Sequence, residues 1–168
     1  MTPYRELQAR WRGADRAAFL TAVKDPHLVL WTELNAEEGE DRPTAAFMTI
    51  AASAAALAAQ AGPIAALPVV KRPGANAFGM MVTVGRAPNN DLVLADRRVS
   101  KFHCYLRRLG ANWVVSDASS TNGTQVDRVA VPRERSIPLR SGARLTLGGS
   151  VELEFLEPAD LYERLRTG

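Results

Sequence analysis

The chain has 168 residues, 46% of them apolar, which is room for one domain of usual size, or a small one with an appendage, around a packed core. One cysteine, Cys104, excludes an internal disulfide and any cysteine-cluster metal site, and without a charged start running into an apolar stretch and cleavage site the chain is expected to be cytoplasmic. The net charge of +3 is uneven: residues 1–67 carry 6 Lys/Arg against 8 Asp/Glu, whereas residues 68–168 carry 15 against 10, so an anionic partner is expected at the C-terminal part.

Thr2-Pro3 reads as a helix start, with a hydroxyl to cap and a proline tolerated in the first turn. Tyr4, Leu7, Trp11, Ala14, Ala18 and Ala22 follow at spacings of three and four with Phe19 beside them, which predicts one amphipathic helix over about 3–24. Asp25-Pro26 ends it. Residues 27–31 fit either a short buried strand or an irregular docking segment. Residues 33–43, acidic and with no aromatic, read as a solvated loop or disordered linker. The alanine-rich stretch 44–61 predicts a second helix, packed on the first or on a partner. Its length approaches that of a membrane span, but alanine is weakly apolar, Thr49, Ser53 and Gln60 interrupt it, and Gly62-Pro63 closes it, so no membrane span is expected.

Beyond Pro68 the period changes from helical to strand-like. Strands are predicted over 69–72, 79–84, 92–94, 102–108, 113–117, 124–126, 129–131, 136–139, 144–147 and 151–155, separated by turn clusters such as Pro73-Gly74-Ala75-Asn76 and Gly148-Gly149-Ser150. So many short strands point to an all-β sandwich. Val151 to Phe155 alternate cleanly between a buried and a wet face. The same alternation puts Cys104 in the core on one face with Phe102 and Leu106. Residues 157–166 read as a short C-terminal helix with Leu161, Tyr162 and Leu165 on one face. The expected division is a helical N-terminal region with an acidic linker over 1–67, the sandwich over 68–157, and a C-terminal helix over 158–168.

Within the sandwich, four short runs stand out: Val84-Gly85-Arg86, Asn89-Asn90-Asp91-Leu92, Ser100-Lys101-Phe102-His103, and Asp117-Ala118-Ser119-Ser120-Thr121-Asn122-Gly123-Thr124. Together they suit one phosphate group. A phosphorylated side chain carries about −1.5 to −2 charges and three acceptor oxygens. Arg86 offers a planar fork to that anion, and Ser100, Lys101 and Thr121 offer further donors. Asn122 carries a donor and an acceptor, which suits the backbone of a bound peptide. Gly85 and Gly123 permit tight loops and close approach. Singly, each has a plain reading as a solvated arginine or a turn residue. Nucleic acid is a rival anion, but the aromatics do not interleave with the basic residues as a stacking platform requires.

This pattern, Gly-Arg, then Ser-x-x-His fourteen residues on, then Ser-x-Asn-Gly-Thr, resembles the forkhead-associated (FHA) domain over roughly Pro68 to Glu157. The resemblance implies a mainly β fold, an FHA-type β-sandwich of two antiparallel sheets that binds phosphothreonine peptides through loops at one end. It assigns phosphopeptide binding to Arg86, Ser100, Lys101 (where relatives commonly carry arginine), Thr121 and Asn122. Arg97 and Arg98 fall in the loop that reads the peptide downstream of the phosphothreonine, where two cations imply acidic residues or simply steer an anionic partner. Gly85, His103, Asp117 and Gly123 become supports of the site, with His103 architectural.

The expected function is therefore a non-catalytic phosphothreonine-binding adaptor in Ser/Thr kinase signalling. Its expected partner is a phosphorylated kinase or kinase substrate, with no nucleic acid, no cofactor and no metal, and residues 1–67 are free for a second partner or for bracing the sandwich. Ala/Arg-rich usage suggests a bacterial source. The alternative is a scaffold on the same fold that binds proteins independently of phosphate. An enzyme is disfavoured, since no P-loop, metal cluster or nucleophile–base pair is present in the sequence. Thr32 and Thr44 are weak candidates for occupying the pocket themselves, because neither has an acidic residue three positions later.

Overall fold

The computed structural model describes residues 1–35 and 62–167, so the alanine-rich helix expected over 44–61 and most of the acidic linker lie outside the described residues. In chain order the first elements are β1 (Thr2–Pro3), α1 (Tyr4–Trp11), α2 (Arg16–Ala22), β2 (His27–Leu30), β3 (Ala65–Pro68), β4 (Val82–Gly85) and β5 (Leu92–Val93). Then come β6 (Cys104–Leu109), β7 (Asn112–Asp117), β8 (Thr124–Val126), β9 (Val129–Ala130), β10 (Ile137–Leu139), β11 (Arg144–Leu147), β12 (Val151–Leu156) and α3 (Pro158–Thr167). The strands form a seven-stranded sheet in the order β1-β3-β2-β12-β11-β8-β9 and a five-stranded sheet in the order β10-β7-β6-β4-β5. The fold is thus mainly β, as expected. All pairs are antiparallel except β4 with β5, where Val84 lies opposite Leu92 and Gly85 opposite Val93.

Alternation along the strands divides the apolar residues between two clusters. Leu28, Leu30, Leu153 and Phe155 of the large sheet meet Val84, Cys104, Leu106 and Val115 of the small one to make the sandwich core. The intervening Val29, with Ala66 and Leu156, faces the other way and is covered by Tyr4, Leu7, Phe19, Leu161, Tyr162 and Leu165 from the three described helices. Both faces of the large sheet are therefore buried at β2, whereas β8, β9 and β11 keep exposed positions. The continuous apolar run of β2 is the sequence consequence.

The N-terminal residues depart from the single helix expected over 3–24. Thr2 and Pro3 pair with Ala66 and Ala65 as strand β1, and Pro3 stands before α1 without any side-chain cap. The helix then breaks at Arg12 to Asp15. Gly13 is a poor helix former, and the Asp15 carboxylate accepts the Ala18 N–H (2.9 Å) to start α2 afresh. The break lets Trp11 fold edge-on against Phe19, ring centroids 5.0 Å apart.

Residues 27–31, undecided from sequence, contain a fully buried strand that pairs with β12 on one side and β3 on the other. The expected division at Pro68 falls on the last residue of β3, and strand pairing runs across it. The strand expected over 69–72 is displaced to Ala65–Pro68. Lys71 instead turns its ammonium to Asn76, the Met81 carbonyl and Asp91. Phe102 precedes β6 and is not on the face of Cys104: it stacks between Phe78 (5.7 Å) and Tyr105 (6.2 Å) on the outer side of the small sheet.

Candidate functional site

The four runs singled out in the sequence meet at one end of the sandwich. Strand β4 ends at Gly85, whose Cα lies against the chain at Lys101. A β-carbon there would sit 2.4 Å from the Lys101 carbonyl oxygen and 2.8 Å from Asn90 Nδ2, so only glycine fits. Immediately afterwards the Arg86 N–H donates to the Ser100 carbonyl (3.0 Å) and the Ala87 N–H to that of Lys101 (3.2 Å). Asn90 closes the loop by donating from Nδ2 to the carbonyls of Ala87 (2.9 Å) and Lys101 (2.6 Å). These bonds hold the Arg86 backbone beside Ser100 without using the arginine side chain. Its guanidinium and the Lys101 ammonium are exposed, and neither forms an ion pair with a described carboxylate.

Ser100 is joined to the third loop. Its Oγ accepts the Thr121 N–H (3.0 Å) and donates to Thr121 Oγ1 (3.3 Å). Its own N–H donates to His103 Nδ1 (3.0 Å). Since Nδ1 accepts, the ring proton is on Nε2, which donates to the Gly123 carbonyl (3.1 Å). Burial holds His103 below the ordinary histidine pKa, against the opposing pull of the Gly123 carbonyl and Asp117. A neutral imidazole, wholly buried, thus ties the serine loop to the Thr121–Gly123 loop.

That third loop is shaped by Asp117. Its carboxylate accepts the Ser120 N–H (3.0 Å), the Ser120 hydroxyl (2.6 Å) and the Thr124 hydroxyl (2.8 Å). Burial alone would raise its pKa, but these donors outweigh burial and hold it below the usual carboxylate value. Ser119 (φ 59°) and Gly123 (φ 79°) take the left-handed conformation that the tight loop needs. Thr121 and Asn122 are exposed at its tip. Arg86, Ser100, Lys101, Thr121 and Asn122 are accordingly on adjoining loops, with Gly85, His103, Asp117 and Gly123 beneath them.

Arg97 is exposed on the loop between β5 and β6. Arg98, paired with it in the sequence reading, is put to a different use. Its guanidinium grips Asp96 through Nε (2.8 Å) and Nη2 (2.5 Å) and reaches Ser150 Oγ through Nη1 (3.0 Å). Its Nε, Nη1 and Nη2 donors are thus all engaged within the protein.

Sequence reasoning missed two buried carboxylates that fix these loops. Asp91 accepts from Lys71 Nζ (2.8 Å), the Arg72 N–H (2.8 Å), the Thr83 N–H (2.8 Å), the Thr83 hydroxyl (2.9 Å) and Asn76 Nδ2 (3.2 Å). Burial opposes its ionisation, yet these donors hold its pKa far below the usual range. Asp96 is held down in the same way by Arg98 and the Asn35 N–H. Asp91 stood inside one of the four runs, but its principal partner, Lys71, lies twenty residues upstream. No group of three or more His, Cys, Asp or Glu side chains suited to a metal occurs among the described residues, and no described helix is long and apolar enough to cross a membrane.

The family model of the FHA domain matches residues 82–148, from the first residue of β4 to the turn after β11. Residues 82–148 are an FHA domain. Over 70 residues the chain is 40% identical to the FHA domain-containing protein FhaB of Mycolicibacterium smegmatis, covering 42% of this chain and 44% of that protein. It is 38% identical over 94 residues to an oxoglutarate dehydrogenase inhibitor of Corynebacterium diphtheriae, covering 53% and 63%. The chain thus spans between 44% and 63% of the length of these relatives. The solution structure of the FHA domain of an Arabidopsis thaliana hypothetical protein superposes with a TM-score of 0.53 at 21% identity, over 79% of this chain and 85% of that one, which matches the fold. Strands β1, β2, β3 and β12 lie outside the residues matched to the FHA domain, yet they complete its larger sheet.

Proposed function

We propose that the protein is a non-catalytic adaptor that binds phosphothreonine-containing segments of other proteins in bacterial Ser/Thr kinase signalling, in the cytoplasm. The observation that carries this reading is Arg86, exposed and bonded through its main chain to Ser100, whose hydroxyl is in turn bonded to Thr121. In this reading Arg86 and Lys101 neutralise the phosphate, Ser100 and Thr121 donate to its oxygens, and Asn122 holds the peptide backbone. Arg97 favours an acidic residue downstream. Arg98 drops out of that role because its guanidinium is committed to Asp96 and Ser150.

His103 supports the same conclusion by what it does with its nitrogens. Both are engaged with the backbone in a single neutral tautomer, which suits a brace and not an acid or base. By its name, the corynebacterial relative is an inhibitor of oxoglutarate dehydrogenase, which fits a protein that works by occupying another protein. Residues 1–35 and 62–67 brace the sandwich 68–157 through β1, β2 and β3, and residues 1–67 are also the candidate surface for a second partner.

The test is selection from a degenerate phosphothreonine peptide library on immobilised full-length protein, beside the unphosphorylated library. Retention of phosphorylated peptides alone, enriched in acidic residues downstream, is the expected result. Equal retention of both libraries would replace this reading with a phosphate-independent scaffold.

A further inference from the structure

Arg98 is the meeting point of four segments that the sequence keeps far apart. Besides Asp96 and Ser150, its Nη2 donates to the Glu33 carbonyl (3.2 Å). Asp96, 2% exposed, also accepts the Asn35 N–H through Oδ2 (2.9 Å) and the Arg98 N–H through Oδ1 (2.8 Å). Glu33 and Asn35 belong to the segment that leaves β2, outside the residues matched to the FHA domain. That segment is fixed in turn by Thr32, whose hydroxyl donates to the Ser150 carbonyl (3.2 Å) and accepts the Glu152 N–H (3.0 Å).

The main chain of Arg98 faces the peptide side. Its carbonyl accepts a long bond from Asn122 Nδ2 (3.4 Å). Gly148 packs against the same carbonyl so closely that a β-carbon would lie 2.1 Å from the oxygen, and the Gly148 N–H donates to the Gly123 carbonyl (3.1 Å). Asn122 is thereby oriented with its Oδ1 acceptor and one N–H to spare, the pair a peptide backbone requires.

We infer that Arg98 is a positioning residue for Asn122: its guanidinium gathers Glu33, Asp96 and Ser150, its carbonyl holds the Asn122 amide, and residues 32–35 thereby become part of the peptide-gripping half of the site. The inference rests on the phosphopeptide reading above for the meaning of Asn122. It leaves the phosphate half, Arg86 with Ser100, independent of Arg98.

The experiment is a double-mutant cycle in the full-length protein, read by calorimetry with a phosphothreonine peptide carrying aspartate three residues downstream. R98K keeps a cation beside the buried Asp96, so that carboxylate is not left alone, but loses the fork that spans Ser150 and Glu33. R98K and N122A are each expected to weaken binding about tenfold, and the double variant no further than N122A alone. Additive losses, about a hundredfold in the double variant, or unchanged affinity in R98K would overturn the inference. A ligand-free measurement runs beside it: the heteronuclear NOE of the Asn122 side-chain amide should fall in R98K while the Ser100 backbone value stays unchanged. An Asn122 amide as ordered in R98K as in the parent protein overturns the positioning role. Failure of the parent protein to bind the peptide counts against the phosphothreonine reading, and the NOE still decides the role of Arg98.

Discussion

Arg86 and His103 lie on either side of Ser100 and are used in opposite ways. Arg86 is fixed at its backbone and open at its guanidinium, whereas His103 is buried with both nitrogens bound. Gly85 makes the first arrangement possible. The variant Gly85→Ala would push a methyl group into the Lys101 carbonyl, and we expect it to destabilise the protein by about 2–3 kcal/mol, read as a lower urea midpoint at an unchanged slope. The histidines give a pH signature. Burial holds both His103 and His27 below the ordinary value of 6.5, so the unfolded chain takes up protons near pH 6.5 that the folded chain refuses. Their contribution is present above pH 6.5 and lost as the pH falls through the folded pKa values. Tm should be level from pH 8 to 7, fall below about 6.5, and fall less in His103→Asn. Asp91, Asp96 and Asp117 are held below the usual carboxylate value of 3.8, so a further loss is expected below about pH 4.

At the scale of elements, what the sequence displayed was the face of each strand and the chemistry of each turn. Strands β8 and β11 fall where the pattern put them, and the loops of the candidate site announce themselves because Gly85, Ser100, Thr121 and Asn122 are side chains or backbone freedoms with a local purpose. Partners were not legible. β2 pairs with β12, more than a hundred residues away, and no periodicity records that. Ala65–Pro68 has too little side chain to alternate visibly. Phe102 looked like core because period 2 was extended two residues before β6 begins. The break between α1 and α2 was readable in Gly13 and Asp15, but the helical spacing across it concealed them. Asp15→Ala removes the α2 cap and is expected to cost about 1 kcal/mol, measurable as a fall of a few degrees in Tm.

In the whole molecule the FHA-matched residues share their larger sheet with strands outside the match. β2 lies between β3 and β12 in the larger sheet, and the helical layer closes over its outer face. A fragment beginning at Pro68 would expose the edge of β12 and the apolar face formed by Leu156, Leu161 and Leu165. We expect it to lack cooperative thermal unfolding and to aggregate, whereas the full chain unfolds in a single transition. A fragment with a sharp transition near that of the full chain would show that the N-terminal strands are dispensable. The basic excess of residues 68–168 should speed encounter with an anionic partner at low salt.

We propose that one phosphothreonine is bound through Arg86, and calorimetric titration decides it. Peptides of one sequence carrying phosphothreonine, phosphoserine or threonine are titrated into the full-length protein and into Arg86→Ala. We expect micromolar affinity for phosphothreonine, at least about tenfold weaker binding of phosphoserine, none of threonine, and a loss of about a hundredfold in the variant, in line with two charge-assisted hydrogen bonds. Binding of the unphosphorylated peptide at equal strength, or an Arg86→Ala protein that binds phosphothreonine as well as its parent, would contradict it.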